Sequence, residues 1–289
     1  MAVCLIIILL INDQLSYDKF QANRDSIYRL THERAEGMNL GMATVPQPLA
    51  KEVQKRFVGM EDVVNFHRFA GEVVNEGKAI DVYGFLTDPS LFDLFSYKLK
   101  AGDPKTALNE PYSIVLRADI AEKFFKDEDP MGKSMDIGDL GIYKVTGVLE
   151  ELPGKTHIRF DVFTSMSTAQ SLHEIGKRHF GINNWENGSQ TWTYFRLLDS
   201  YSIDQLDANL KNIEQEFYGE DSDLKPTFQT QAMTKIVPGP LYGNAIGDGL
   251  PNFFVLGLTI LAALIMVCAA FNYTNLSAAR AMSRTKEAN

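Results

Sequence analysis

Cysteine is nearly absent from this chain of 289 residues, which holds two, Cys4 and Cys268. Both lie in apolar stretches near the ends. The portion between them therefore has no disulfide framework, no thiolate nucleophile and no cysteine-ligated zinc. Basic runs are missing as well: 28 Lys and Arg stand against 37 Asp and Glu, a formal net charge of -9. Residues 253–289 hold three of the bases and one of the acids, and residues 1–11 hold neither, which leaves residues 12–252 at -11. A field of that sign repels nucleic acid and anionic lipid, so no nucleic-acid partner is expected.

The patterns that mark chemistry are also absent. The five histidines, His32, His67, His157, His173 and His179, form no His-Glu-x-x-His motif, and His173 and His179 are six apart, on different sides of a helix. Asp127, Glu128 and Asp129 lack the alternating ligands and closing Glu of a calcium loop, and are expected to be a solvated turn. Gly138 to Gly141 is expected to connect a hairpin, because no Lys-Ser or Lys-Thr follows to make a phosphate cradle. There is no Gly-x-Ser-x-Gly elbow, no base paired with Ser165, Ser167, Ser171 or Ser189, and no Walker A sequence. We expect no catalytic, cofactor-binding or metal residue and no enzymatic activity. Any ATP that drives this protein must be bound by another subunit.

What the chain has instead is a long hydrophobic run near its end. Phe253 to Phe271 carries no charge and is long enough, as a helix, to cross a hydrocarbon core. Arg280, Arg284 and Lys286 lie just beyond it, which places that end in the cytoplasm and the preceding residues outside. The first eleven residues are apolar too, with no basic region or small-residue cleavage site before Asn12. Too short to span, they are expected to be the last part of a first membrane helix; a buried N-terminal strand or helix is the alternative. The expected organisation is residues 1–11 as partial first span, 12–252 outside the membrane, 253–271 as second span, and 272–289 as the start of a cytoplasmic segment.

Between the spans the hydrophobic period alternates between helix and strand. Residues 12–27 suggest a helix leaving the membrane and turning near 22–24, and Ile27 to Thr31 a strand. Pro46 opens a helix to about Phe57, with Leu49, Val53 and Phe57 at four-residue spacing. Strands are expected at 63–69, 71–74, 79–86, 112–116, 135–137, 142–149, 158–163 and 226–237. Four large apolar residues, Leu91, Phe92, Leu94 and Phe95, sit on a short helical turn that needs a core to cover it. Residues 117–126 and part of 165–189 suggest helices. Residues 191–198 alternate Trp192 and Tyr194 against Thr193 and Phe195, as a half-buried strand does, and Trp192 is expected in a core or lobe interface. Ser202 with Gln205 forms a capping box ahead of Ile203, Leu206, Leu210, Ile213 and Phe217, the clearest helix outside the spans. The order implies an α+β domain with two lobes.

Several stretches in this order resemble one known family. They are LSYDKF at 15–20 with Ile27, Tyr28 and Arg29; FLTDPSLFDLF at 85–95; GDPKTAL at 102–108; SIVLRADIAEKFF at 113–125; DPMGK at 129–133; VTGVL at 145–149; HIRFDVF at 157–163; Trp192 to Tyr194; and residues 272–287, with Asn272, Asn275, Leu276, Ala279, Arg280, Arg284, Lys286 and Glu287. The chain resembles the permease subunit of bacterial ABC transporters of the MacB and FtsX-like kind, particularly the versions of Bacteroidetes. The resemblance implies a periplasmic core with a porter-like lobe near the membrane and a second lobe, roughly 112–190, inserted into it. It implies a bacterial inner-membrane location with residues 12–252 in the periplasm, a separate cytoplasmic ATP-binding subunit, a permease dimer and contact with membrane lipid. Arg280, Arg284, Lys286 and Glu287 would then lie near the ATPase contact. It also implies two further membrane helices after Glu287, so a fragment of a longer permease is expected. A sensor ectodomain between two membrane helices is the competing reading.

Overall fold

A computed structural model of the chain describes residues 2–34, 40–75, 78–178, 180–181, 183–219 and 226–287. The two apolar ends form helices α1 (Ala2–Gln14) and α7 (Asn252–Glu287), the latter 36 residues long. Along α1 the buried positions Cys4, Ile7 and Gln14 share one face. That face meets α7, where the Cys4 Sγ lies 3.8 Å from the Ala262 carbonyl oxygen. Elsewhere both helices expose large apolar side chains, among them Leu5, Ile6 and Leu9 on α1 and Phe253, Leu256 and Leu264 on α7. Exposed apolar surface on this scale needs lipid or protein to cover it. Among the described residues, Asn252–Ala278 is the one helix long and apolar enough to cross a membrane.

The rest is one mixed sheet covered by helices. Its strands are β1 (Ile27–Arg34), β2 (Met60–Asn75), β3 (Lys78–Thr87), β4 (Leu99–Gly102), β5 (Ser113–Leu116), β6 (Ser134–Asp136), β7 (Ile142–Leu149), β8 (Val162–Ser165), β9 (Thr191–Leu197) and β10 (Pro226–Ala232). They lie in the order β10-β1-β9-β2-β3-β8-β5-β7-β4, with β6 added on β7. Two lobes share this sheet. In the first, helices α2 (Pro48–Arg56) and α6 (Ile203–Tyr218) bury Leu49, Val53, Leu206, Leu210 and Ile213 over Leu30, Phe195 and Phe228. In the second, α4 (Ala118–Phe125) and α5 (Met166–Glu174) cover β5, β7 and β8 with Ile120, Ala121, Ala169 and Leu172. The second lobe lies between β3 and β9 in sequence and joins the first through a parallel seam, where Gly84 to Thr87 pairs with Val162 to Ser165. No side chain fits at Gly84, since a Cβ there would stand 1.8 Å from the Val162 carbonyl oxygen.

An aromatic cluster fills the middle. Phe66 is its hub, with ring centroids 5.2 Å from Phe85, 5.7 Å from Tyr194 and 6.0 Å from both Phe95 and Phe163. Such pairs contribute about 0.5–1.5 kcal/mol each beyond their buried area. The short helix α3 (Leu91–Leu94) supplies Leu91 and Leu94 to this cluster, together with Phe95. This is the cover that four clustered apolar residues require.

Several elements differ from expectation. The chain after α1 makes turns over residues 15–20 and 22–26 rather than a helix, because Leu15 and Phe20 are too far apart to form an apolar stripe. The break expected near Gly71 does not exist: β2 runs unbroken for 16 residues. Gly71 is there to admit Ile137, whose Cγ2 would be 2.3 Å from any Cβ. The strand expected at 158–163 begins only at Val162, although Ile158 and Phe160 are buried as loop residues. β9 is buried on both faces rather than one, because its Trp192 and Tyr194 enter the aromatic cluster while Phe195 and Leu197 lie under α2 and α6. Phe217, on the apolar side of α6, is 37% exposed and stacks on Trp185 at 3.9 Å.

Candidate coupling site at the membrane-facing end

The two terminal helices, α1 and α7, meet the sheet domain at the same end. The Gln14 side chain, at the end of α1, accepts a hydrogen bond of 2.8 Å from the Leu250 backbone N–H, just before α7. Beyond Gln14, polar residues hold the chain in turns against the sheet. Asp13 pairs with Lys155, whose carbonyl accepts from the Asp18 N–H at 2.8 Å. Gln21 Oε1 accepts from the Ser96 N–H at 2.6 Å, and Ser96 Oγ accepts from the Ala22 N–H at 2.8 Å. Asp18 sits at φ +56°, a left-handed conformation that Asp tolerates better than most residues. Its carboxylate enters the sheet domain, where it is 4% exposed.

There it meets His157, which is fully buried. Asp18 Oδ2 lies 2.7 Å from His157 Nδ1, and Oδ1 accepts from the His157 backbone N–H at 3.2 Å. The other ring nitrogen, Nε2, is 2.9 Å from the Tyr194 hydroxyl on β9. With the imidazole proton on Nδ1 and donated to the carboxylate, Nε2 is free to accept from the tyrosine. Burial works to raise the Asp18 pKa, but the attraction and hydrogen bonds of His157, with help from Thr156, outweigh it and hold the carboxyl below its ordinary value. Burial raises the Tyr194 phenol, with the Arg29 guanidinium acting against it.

Arg29, on β1, is 2% exposed and has no carboxylate partner among the described residues. Its Nε donates to Gln231 Oε1 at 2.8 Å, and the guanidinium lies over the Tyr242 ring at 5.3 Å from the centroid. Gln231 in turn donates to the Lys235 carbonyl at 2.8 Å. A buried polar path thus runs from the lead-out of α1 across β9 and β1 to the strap that leads into α7. That strap packs on the same residues. Gly247, at φ +82°, approaches so close that a Cβ would stand 2.2 Å from the His157 carbonyl oxygen. Asn244 accepts from the Trp192 indole N–H at 2.6 Å through its carbonyl.

His157 between a carboxylate and a hydroxyl has the connectivity of a general base, but no substrate can reach a fully buried ring. The bonds instead fasten the chain that follows α1 to the centre of the sheet. No group of three or more His, Cys, Asp or Glu among the described residues could hold a metal ion.

The residues picked from sequence lie elsewhere. Arg280 is exposed on α7, about 42 Å along the helix from Asn252 at 1.5 Å per residue, and Arg284, Lys286 and Glu287 follow on the last two turns. The sequence reading missed the buried path. Asp18 and His157 both fall in stretches that carry the family resemblance, which was the available signal.

Fold and site define a membrane-anchored α+β domain whose polar core ties two helical leads together. The family model described as the MacB-like periplasmic core domain matches residues 1–213. The chain belongs to the MacB-like periplasmic core domain family. Among solved structures, a domain assigned as a permease protein of Porphyromonas gingivalis is similar at 20% identity and a TM-score of 0.59, covering 73% of this chain and 92% of that one. The periplasmic region of MacB from Actinobacillus actinomycetemcomitans matches at 15% identity and a TM-score of 0.45, over 72% of this chain and 90% of that one. The extracellular domain of the ABC-type transporter YknZ from Gram-positive bacteria matches at 13% identity and a TM-score of 0.46, over 71% and 99%. No curated protein matches. This is a membrane protein with a periplasmic segment, of a family whose permeases work with ABC ATPases and dimerise. Membership does not favour the sensor reading.

Proposed function

We propose that residues 12–252 are the periplasmic coupling domain of an ABC-type permease in the bacterial inner membrane. The domain carries motion of α1 and α7, driven by a separate cytoplasmic ATPase, to a substrate that is exported or extracted. The observation that carries this reading is the buried Asp18–His157–Tyr194 network, which fastens the α1 lead to the centre of the sheet. A helix displacement cannot then be absorbed by a loose linker. In this reading the basic end of α7, Arg280, Arg284, Lys286 and Glu287, meets the ATPase, and two permease chains act together.

The test uses the membrane-embedded protein with its ATPase. A spin label at exposed Asp139, in the second lobe, reports the distance between the two permease chains. A non-hydrolysable ATP analogue should change that distance, and Arg284→Glu with Lys286→Glu should abolish the change together with ATPase co-purification. An unchanged distance in the unsubstituted complex refutes the coupling role. Unchanged co-purification refutes the proposed contact.

A further inference from the structure

Two cavities, of about 450 and 380 Å³, adjoin at Arg68 of β2, which lines both. Arg178 lines the first and Arg159 the second. Residues 12–252 carry a net charge of -11, so carboxylates are plentiful. Yet among the described residues neither Arg68 nor Arg178 makes an ion pair. Arg68 instead lies over the Trp192 ring, 5.5 Å from its centroid. Arg159 pairs with Asp248 at 2.9 Å, but both side chains are more than three-quarters exposed, where such a pair is weak. Between the arginines the second cavity is lined by Phe85, Phe160 and Ile246. Cationic heads thus flank an apolar floor.

We propose that this groove binds an amphiphilic carboxylate, with the oxyanion on Arg68 and Arg178 and the apolar part over Phe85, Phe160 and Ile246. A guanidinium offers a planar fork of donors that matches a carboxylate, and one already stacked on an indole is held in place for it. Part of the groove's lining comes from the strap at Asn244 to Gly247, which leads on to α7. A ligand here therefore touches the segment that Trp192 and His157 hold against the sheet. Naming this ligand as cargo rests on the permease reading; the binding itself does not.

The test is titration of the full chain in dodecyl maltoside with N-acetyl-phenylalanyl-leucine, followed by Trp192 fluorescence in a Trp185→Phe background. Saturable binding is expected, with the C-terminal amide of the same peptide about tenfold weaker or worse. Arg68→Gln should weaken the acid about tenfold or more, while Arg56→Gln, on α2 and outside the groove, should leave it unchanged. Hexanoate distinguishes an acyl from a peptide source: Arg68-dependent binding of either acid supports the proposal. No saturable binding of either, equal binding of acid and amide, or an Arg68→Gln variant that binds normally overturns it. No ATPase is present, so a null result here removes the groove and leaves the coupling role standing. An unchanged inter-chain distance would do the reverse.

Discussion

Replacing Asp18 with Ala is the most direct test of the buried network. The carboxylate accepts two hydrogen bonds from His157 while only 4% exposed, and its pKa is held below the ordinary value despite burial. The folded state therefore favours the ionised form. Hydrogen bonds to a charged group contribute about 1.5–3 kcal/mol each, but Asp18→Ala also relieves the burial of one charge, so we take about 3 kcal/mol for the two together. For a domain of this size that shifts Tm by about 6–12 °C. The assay is thermal unfolding in detergent at pH 7, followed by near-ultraviolet circular dichroism. Asp18→Asn, which keeps an acceptor but not the charge, should cost less than half as much. Tyr194→Phe strands Nε2 of His157 and should cost about 1–3 kcal/mol. Because both act through one imidazole, the double variant should fall short of the sum by at least about 0.5 kcal/mol. With a folded pKa below the ordinary 3.8, the Asp18 contribution is complete above that value and lost as pH falls through the lower one. The part of the Asp18→Ala deficit that depends on the ionised form should therefore be lost in strong acid. A Tm shift under about 2 °C, or strict additivity with Tyr194→Phe, would refute the network as a unit.

Two further outcomes follow from other parts of the fold. Burial lowers the His67 pKa from 6.5 to about 4, so its neutral form is complete in the folded state at pH 7. Stability should fall as pH drops from 6.5 toward 4, by up to about 3 kcal/mol, and His67→Gln should remove that part of the slope in acid titration of Tm. At the seam between the lobes, Gly84→Ala drives a Cβ into the Val162 carbonyl and should cost about 3 kcal/mol. Gly147→Ala meets only side chains, at 3.2 Å and beyond, and should cost clearly less in the same unfolding assay; equal costs would show that the seam can yield.

Much of this fold was legible because its signals are local. The capping box of Ser202 and Gln205 starts α6 where it was expected, with both reciprocal hydrogen bonds present. The uncharged run after Asn252 is a helix, and β5, β7 and α4 fall within a residue or two of their sequence bounds. What was not legible depends on distant partners. Gly71 is a turn signal by composition but a packing contact in space, since Ile137 is brought onto it by a different lobe. The alternation of β9 implied one wet face, and only the placement of β9 between β1 and β2, under α2 and α6, shows both faces dry. The network is the extreme case, because Asp18 and His157 are 139 residues apart and share no spacing that could announce them.

Stability alone does not explain why such a network is buried. Replacing a buried charge and its hydrogen-bond partners by well-packed apolar residues of similar volume is often neutral or stabilising, so Asp18, His157 and Tyr194 are an inefficient way to hold a core together. Their value lies in direction. An apolar contact between the α1 lead and the sheet could slide by an ångström or two at little cost, whereas bonds of 2.7 and 2.9 Å to two ring nitrogens weaken steeply with displacement. Gly247 against the His157 carbonyl blocks the α7 strap from moving closer on that side. Both leads are thereby registered on one residue, His157. Motion of either helix must move the sheet or break the network, and under the coupling role proposed above, that is a reason to keep polar groups where apolar ones would be more stable.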